Sequence, residues 1–397
     1  EHFSKDARLF KEDQNEVNNI RFALNSNVRS LYNLSNRNRG NDEGEIFSVS
    51  VEKNELYKNK QELINYLIGI QFGRWDIRLA LNPSLAPKHE KPDDPLPICP
   101  PGMLINPKGF PATSGNIVSE TWLNQPRNTL TIPSINEQGQ AIDYEGKIYR
   151  TTVPDSEYPI GVQWDGVVVD DPGVDERTLH QADIVRKLRE VLAILWPENH
   201  SDIEGEACEI LGVKDLREYF RNPSYFFADH LRRYSKSRRK APIYWPLSTS
   251  SGSYTLWLYY HRLDDEILYT AVNRYVDPKI SHVERSLNRM KVEISNTTGQ
   301  QARDLREAIE QNQNFLVELR TFREELLRIA QLPFKPNLND GVIINAAPFH
   351  NLFGLSKWVK DTKAVWDKLE AGEYDWSHMA YTIWPKRVRE VCKKDKS

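Results

Sequence analysis

Three places in the sequence carry residue types that could do chemistry or hold a ligand. Asn222-Pro223-Ser224-Tyr225 sets an amide and an aromatic ring around a proline. Such a set can hold the exocyclic amino group of an extruded nucleobase and stack on its ring. Just downstream, Arg232, Arg233, Lys236, Arg238, Arg239 and Lys240 put six cations within nine residues, with Tyr234 among them. Clustered Arg and Lys neutralise phosphates, and Arg also forks onto guanine edges. Asp165, Asp170 and Asp171 flank an apolar run, as the acids of a magnesium-dependent nuclease strand would.

Sequence context decides among these. An Asn-Pro-Pro-Tyr tetrapeptide of an adenine methyltransferase needs an apolar strand directly before it, so that its loop projects into a cofactor cleft. Here the preceding DLREYFR is charged and helical in pattern, and Ser224 replaces the second proline. No Gly-rich loop upstream could hold a nucleotide-like cofactor. The tetrapeptide therefore reads as a helix terminus punctuated by Pro223, and no residue is assigned as catalytic, cofactor-binding or metal-ligating. The acidic set lacks the Glu-x-Lys half of a nuclease site. Asp375 and His378 stand at i,i+3 without a third ligand, the pattern of a packed helix with a hydrogen-bonded histidine. His261-Arg262 has no accompanying Ser or Cys nucleophile motif. The basic run stays open between a phosphate-contact segment and a solvated loop before a hairpin.

Composition narrows the classes further. A net charge of -3 over 397 residues exerts no global pull on nucleic acid, so any such binding must be local. Cys99, Cys208 and Cys392 are far apart and odd in number, without a CxxC pair. A disulfide framework or thiolate zinc site is not expected, and a reducing cytoplasm is. No run approaches the roughly 20 apolar residues of a membrane span, so no membrane contact is expected. A start without Met and a charged end, REVCKKDKS, give the look of a piece cut from a longer protein.

The elements that must position these residues predict an α+β fold. Residues 1–81 read as a helical connector, with Leu63, Tyr66, Leu67, Ile70 and Leu79 at helical spacing. Residues 82–275 read as an α/β region opened by a Pro-rich insertion. Within it, IDYEGKIYRTTV predicts a hairpin around Glu145-Gly146, GVQWDGVVVDD a strand, and TLHQADIVRKLREVLAILW a helix stopped by Pro197. APIYWPLSTSSGSYTLWLYYHR predicts a hairpin turning at Ser250 to Ser253. Over 276–333, two apolar seams start at Asp277-Pro278 and at Leu305, separated by SNTTG, and predict an antiparallel helical hairpin. Residues 334–397 form a helical tail rich in Trp.

Taken in order, LINYLIGIQFGRWDIR, YPIGVQWDGVVVDD, HQADIVRKLREVLAILW, RNPSYFFADHLRRY and KAPIYWPLSTSSGSYTLWLYYHR resemble one family, as do NDGVIINAAPFHNLF and AGEYDWSHMAYTIWPKRVREVCKKDKS. The family is that of the large N6-adenine DNA methyltransferases of phage defence. It comprises the PglX-like methylases of BREX, their DISARM relatives and the fused type IIG restriction–modification enzymes. The resemblance runs from about residue 60 to the end, over what looks like the C-terminal half. It implies a target-recognition region that reads duplex DNA so that a catalytic domain can flip the right adenine. It also implies that this catalytic domain, with its S-adenosylmethionine, lies outside the chain. The expected partners are double-stranded DNA, a methyltransferase domain or subunit, and other defence-system proteins. Arg232, Arg233, Lys236, Arg238, Arg239 and Lys240 are then expected at the DNA backbone. The alternative is a protein-protein interaction module, in which the helical hairpin and Trp-rich tail dock a partner of the defence complex.

Overall fold

The computed structural model describes residues 43–85, 99, 102–123, 134–135, 137, 141–142, 152–171, 180–237 and 239–394. The first 42 residues of the expected connector, residues 86–98 and 100–101 of the Pro-rich insertion, and Arg238 lie outside this set. The chain divides into two compact units: one runs to Val162 and adds Glu190–Leu211, and the other joins Gln163–Arg189 to Gly212–Ser397.

In the first unit, α1 (Glu43–Gln71) buries Ile64, Leu67, Ile68 and Ile70 at helical spacing. Gly73, at φ +66°, turns the chain towards the short helix α2 (Ile77–Leu81). Asp76 caps α2, accepting from Arg78 N at 3.0 Å while also taking the Arg78 guanidinium and the Tyr158 hydroxyl. Four two-residue strands follow: β1 (Ile117–Val118), β2 (Ser134–Ile135), β3 (Ala141–Ile142) and β4 (Thr152–Val153). β1 pairs with β4 and β2 with β3, both antiparallel. The hairpin expected around Glu145-Gly146 lies outside the described residues. The helix α3 (Ile184–Leu195) begins in the residues of the second unit and ends in those of the first, and α4 (His200–Leu211) meets α1 through Glu206 and Lys60 at 2.7 Å.

The second unit is built on a three-stranded antiparallel sheet, ordered β5 (Val167–Asp170), β9 (Thr255–Tyr259) and β8 (Tyr244–Ser248). Pro246 sits in β8, where an edge strand tolerates the missing N–H. Side chains alternate across the pleat, so Val168, Asp170, Trp257 and Pro246 share one face and Val167, Val169, Leu258 and Trp245 the other. Both faces are covered, and β5 and β9 are buried throughout.

On the Trp257 face lie α5 (Leu216–Arg221) and α6 (Phe226–Arg233). Phe220 and Phe226 meet the Trp257 ring edge-on, at centroid distances of 6.0 and 5.3 Å. On the other face Trp245 meets Phe349 at 5.9 Å. The small hairpin β6 (Ser235–Lys236) and β7 (Arg239–Lys240) leaves the end of α6. Further along, α7 (Asp277–Glu293) and α8 (Gly299–Gln331) are antiparallel, joined across their contact by Asp277–Arg323 and Glu284–Arg320 ion pairs. The tail includes the helices α9 (Ser356–Ala371), α10 (His378–Ile383) and α11 (Pro385–Lys394). The class is α+β, with the helical hairpin and helical tail expected from the sequence.

The element that orients α5 is ionic. β5 ends in two buried aspartates, and Asp170, at 0% exposure, accepts from Arg217 at 2.5 Å and from Arg221 Nε at 3.0 Å. Asp183, also at 0%, accepts from Arg217 Nη1 and Nη2 at 2.9 Å each. It further accepts Asp171 N at 3.1 Å and Arg186 N at 3.0 Å, capping α3. Asp171 itself takes Lys279 Nζ at 2.5 Å. Removing one member of such a group strands the rest without partners. Asp183→Ala is therefore expected to cost about 3–5 kcal/mol. Glu284→Ala, at an exposed pair, should cost under about 1 kcal/mol. Urea denaturation of both variants checks the contrast, and equal losses would contradict it.

A candidate nucleic-acid interface

The tetrapeptide Asn222 to Tyr225 forms the turn between α5 and α6. Asn222 ends α5, its N–H donating to Glu218 O, and its Oδ1 accepts from Ser224 N at 3.0 Å. Tyr225 N donates to Asn222 O at 3.0 Å, which tightens the turn. A helix, not a strand, precedes the motif, so it does not project from a sheet edge. Pro223 has a packing role instead: a Cβ added at Gly354 would lie 2.7 Å from Pro223 Cγ. Gly354 stands two residues before α9, so its bare backbone lets the start of α9 come up against this turn.

α6 carries the chain from the turn to the basic run. Phe226 and Phe227 hold its start on Trp257, and His230 holds its end. His230 is fully buried, and its Nε2 accepts from Ile243 N at 2.9 Å and Tyr244 N at 3.1 Å. This fixes where β8 begins relative to α6, and therefore where the ten residues between them must fold back. They do so as β6 and β7, with Lys236 opposite Arg239. Ser237 takes φ +57°, the left-handed conformation that a two-residue hairpin loop requires. Ala241 N donates to Tyr234 O at 3.1 Å and closes the base of the hairpin.

The structure distributes the six sequence cations unevenly. Arg232 bonds Asp229 at 2.5 Å, one turn back on α6, although its side chain is 72% exposed. Lys240 is ion-paired with Asp361 of α9. Arg233, Lys236 and Arg239 are exposed, and Lys236 and Arg239 have no ion-pair partner among the described residues. Arg238 lies outside the described residues.

The Lys240–Asp361 pair brings in residues that sequence reasoning did not name. Lys357 stands one helical turn before Asp361 on the same side of α9, about 6 Å away along its axis. Lys357 and its neighbour Lys360 are both exposed and lack an ion-pair partner among the described residues. A cationic hairpin and two helix lysines thus adjoin on one surface of the second unit. The only sequence signal was an unremarkable KWVKD, 117 or more residues downstream of Lys240 in position, with nothing local to connect the two.

The other sequence candidates are structural. Asp165 accepts from Arg274 at 2.9 Å and from the Tyr275 hydroxyl at 2.7 Å, and Asp170 and Asp171 belong to the buried network. Burial pushes the Asp170 carboxyl above its ordinary pKa against the pull of Arg221 and Arg217. Burial also opposes the charge of Arg217, but Asp183 and Asp170 outweigh it and raise the guanidinium's pKa. Asp375 bonds Arg387 at 2.7 Å rather than His378, whose N–H donates to Asp340. Arg262 stacks on Trp164, with its carbon 5.1 Å from the ring centroid. Among the described residues no group of three or more His, Cys, Asp or Glu could hold a metal ion. Nor, among them, is any helix long and apolar enough to cross a membrane.

Gly354→Ala should cost about 1–3 kcal/mol, because the rigid Pro223 ring must give way. Thermal unfolding measures that loss, and the paired variant Pro223→Ala with Gly354→Ala should recover part of it. An unchanged melting temperature would show that the two elements do not touch.

No family model matches the chain. Among curated proteins it is similar to the adenine-specific methyltransferase BrxX of Escherichia coli strain HS, at 24% identity over 197 residues. That match covers 46% of this chain and 15% of BrxX. It is also similar to the adenine-specific methyltransferase PglX of Lacticaseibacillus casei strain Zhang, at 26% identity over 214 residues. There the match covers 52% of this chain and 17% of PglX, so the similarity spans less than a fifth of either relative's length. These partial, low-identity matches support a relationship to adenine-specific methyltransferases.

Proposed function

We propose that this chain is the DNA-recognition portion of an N6-adenine DNA methyltransferase of a bacterial phage-defence system of the BREX type. The observation that carries this reading is the surface just described. Arg233 at the end of α6 and Lys236 and Arg239 on the hairpin that follows, with Lys357 and Lys360 on the adjoining helix, are exposed in a chain of net charge -3. The similarity to two adenine-specific methyltransferases supplies the class of reaction. In this reading the cations hold the phosphodiester backbone and set register, while neighbouring loops meet the base edges. Methyl transfer and S-adenosylmethionine belong to a catalytic domain outside this chain, which is the natural partner of the region 82–275, as are other proteins of the defence system.

A second reading has its own observation. Trp376 is 68% and Tyr381 50% exposed on the tail, and aromatic side chains of that exposure suit a protein partner. Salt separates the two. Duplex affinity should fall steeply as salt rises, and Lys236→Ala, Arg239→Ala and Lys357→Ala should each reduce the slope of log K against log salt by about one. Fluorescence anisotropy with a labelled duplex measures this. A salt-insensitive affinity for a partner protein, with no duplex binding, would favour the second reading.

A further inference from the structure

The surface of α7 shows a separation of charge that the basic run does not use. Asp277 and Glu284 lie two turns apart on one flank, where they pair with Arg323 at 2.5 Å and Arg320 at 2.6 Å of α8. Lys279, Val283, Ser286 and Leu287 form the buried side. His282, Arg285 and Arg289 recur at spacings of three and four, which sets them within about 60° of one another on the remaining flank. The acids are neutralised across the helical hairpin, whereas the bases face away from it.

The two arginines are exposed and have no carboxylate partner among the described residues; Arg285 Nε donates only to Ser281 O, at 3.2 Å. From His282 to Arg289 the row extends about 10 Å along the axis. Glu293, one turn beyond Arg289, marks its end. His282 is half-buried, and the charges acting on it are Lys279, Arg285 and Arg289 of α7 and Asp171 from the end of β5. Lys279 is itself bonded to Asp171.

We propose that the outward flank of α7, formed by His282, Arg285 and Arg289, is a second contact surface for the phosphate backbone of duplex DNA. The proposal rests on the DNA-binding reading above and extends it to a helix outside the basic run. Charge complementarity selects the occupant: cations one turn apart match a closely spaced line of phosphates. Burial, followed by the three neighbouring cations, holds His282 below its ordinary pKa, with Asp171 opposing. A phosphate seated on the arginines would offset that repulsion and let the imidazole take up a proton. Duplex affinity should then rise as the pH falls from about 7.5 to about 6.

The test uses the full chain and one labelled duplex. Arg285→Ala with Arg289→Ala should keep the melting temperature and reduce the salt slope by about two. His282→Gln should keep neutral-pH binding and remove the rise in affinity on acidification. The hairpin variant Lys236→Ala with Arg239→Ala serves as the separate arm. If the hairpin variant loses slope while the α7 variant does not, the α7 proposal falls and the functional reading stands. If the unaltered chain binds no duplex, both fall. Binding of polyglutamate as tight as that of the duplex, lost in the same α7 variant, would assign the flank to an acidic protein instead.

Discussion

Two fully buried carboxylates, Asp170 at the end of β5 and Asp183 before α3, impose the strongest constraint on the second unit. Neither can remain charged in the interior without strong partners. Both find them in α5, whose Arg217 bridges the two acids and whose Arg221 adds a second bond to Asp170. A guanidinium fork suits this bridging, since it offers several donors in one plane. α5 is thereby held in place against the sheet. Asn222 to Tyr225 then turn the chain directly into α6, and α6 delivers the cationic hairpin. The position of an exposed surface is set by a buried ion network whose acids, Asp170 and Asp183, lie 65 and 52 residues before Ser235.

Apolar packing completes what the ions begin. Trp257 takes Phe220, Phe226 and Phe227 from the two helices, and Phe227 also stacks on Phe353 at 6.3 Å just before α9. Pro223 against Gly354 and Lys240 with Asp361 join the same two regions from either side. The half-buried Lys240–Asp361 pair contributes only modest stability by itself. Its effect is positional, because aromatic burial and the proline contact have already brought α9 to the hairpin.

Much of this was legible in the sequence where the signal is local. The β8–β9 hairpin follows from two aromatic runs around a Ser/Gly turn, and the helical hairpin from two apolar seams. Pro223 as helix punctuation needed only the charged DLREYFR before it. Long-range partners were not legible. Nothing in Asp170 and Asp171 distinguishes a metal site from an ion network until Arg217, Arg221 and Lys279 are seen beside them, because such pairs form across 47 to 108 positions. In the sequence the basic run presents six equivalent cations. Arg232's bond to Asp229 could have been found at i,i+3, but Lys240's partner 121 residues away could not. For the same reason Lys357 and Lys360 went unnoticed.

The central claim is that the cationic hairpin and the start of α9 meet duplex DNA together. Amide hydrogen exchange of the whole chain, with and without a saturating duplex, tests it most directly. The account predicts slowed exchange in both Arg233–Ala241 and Leu355–Asp361 when the duplex is bound. Bound duplex with unchanged exchange in both segments would contradict it.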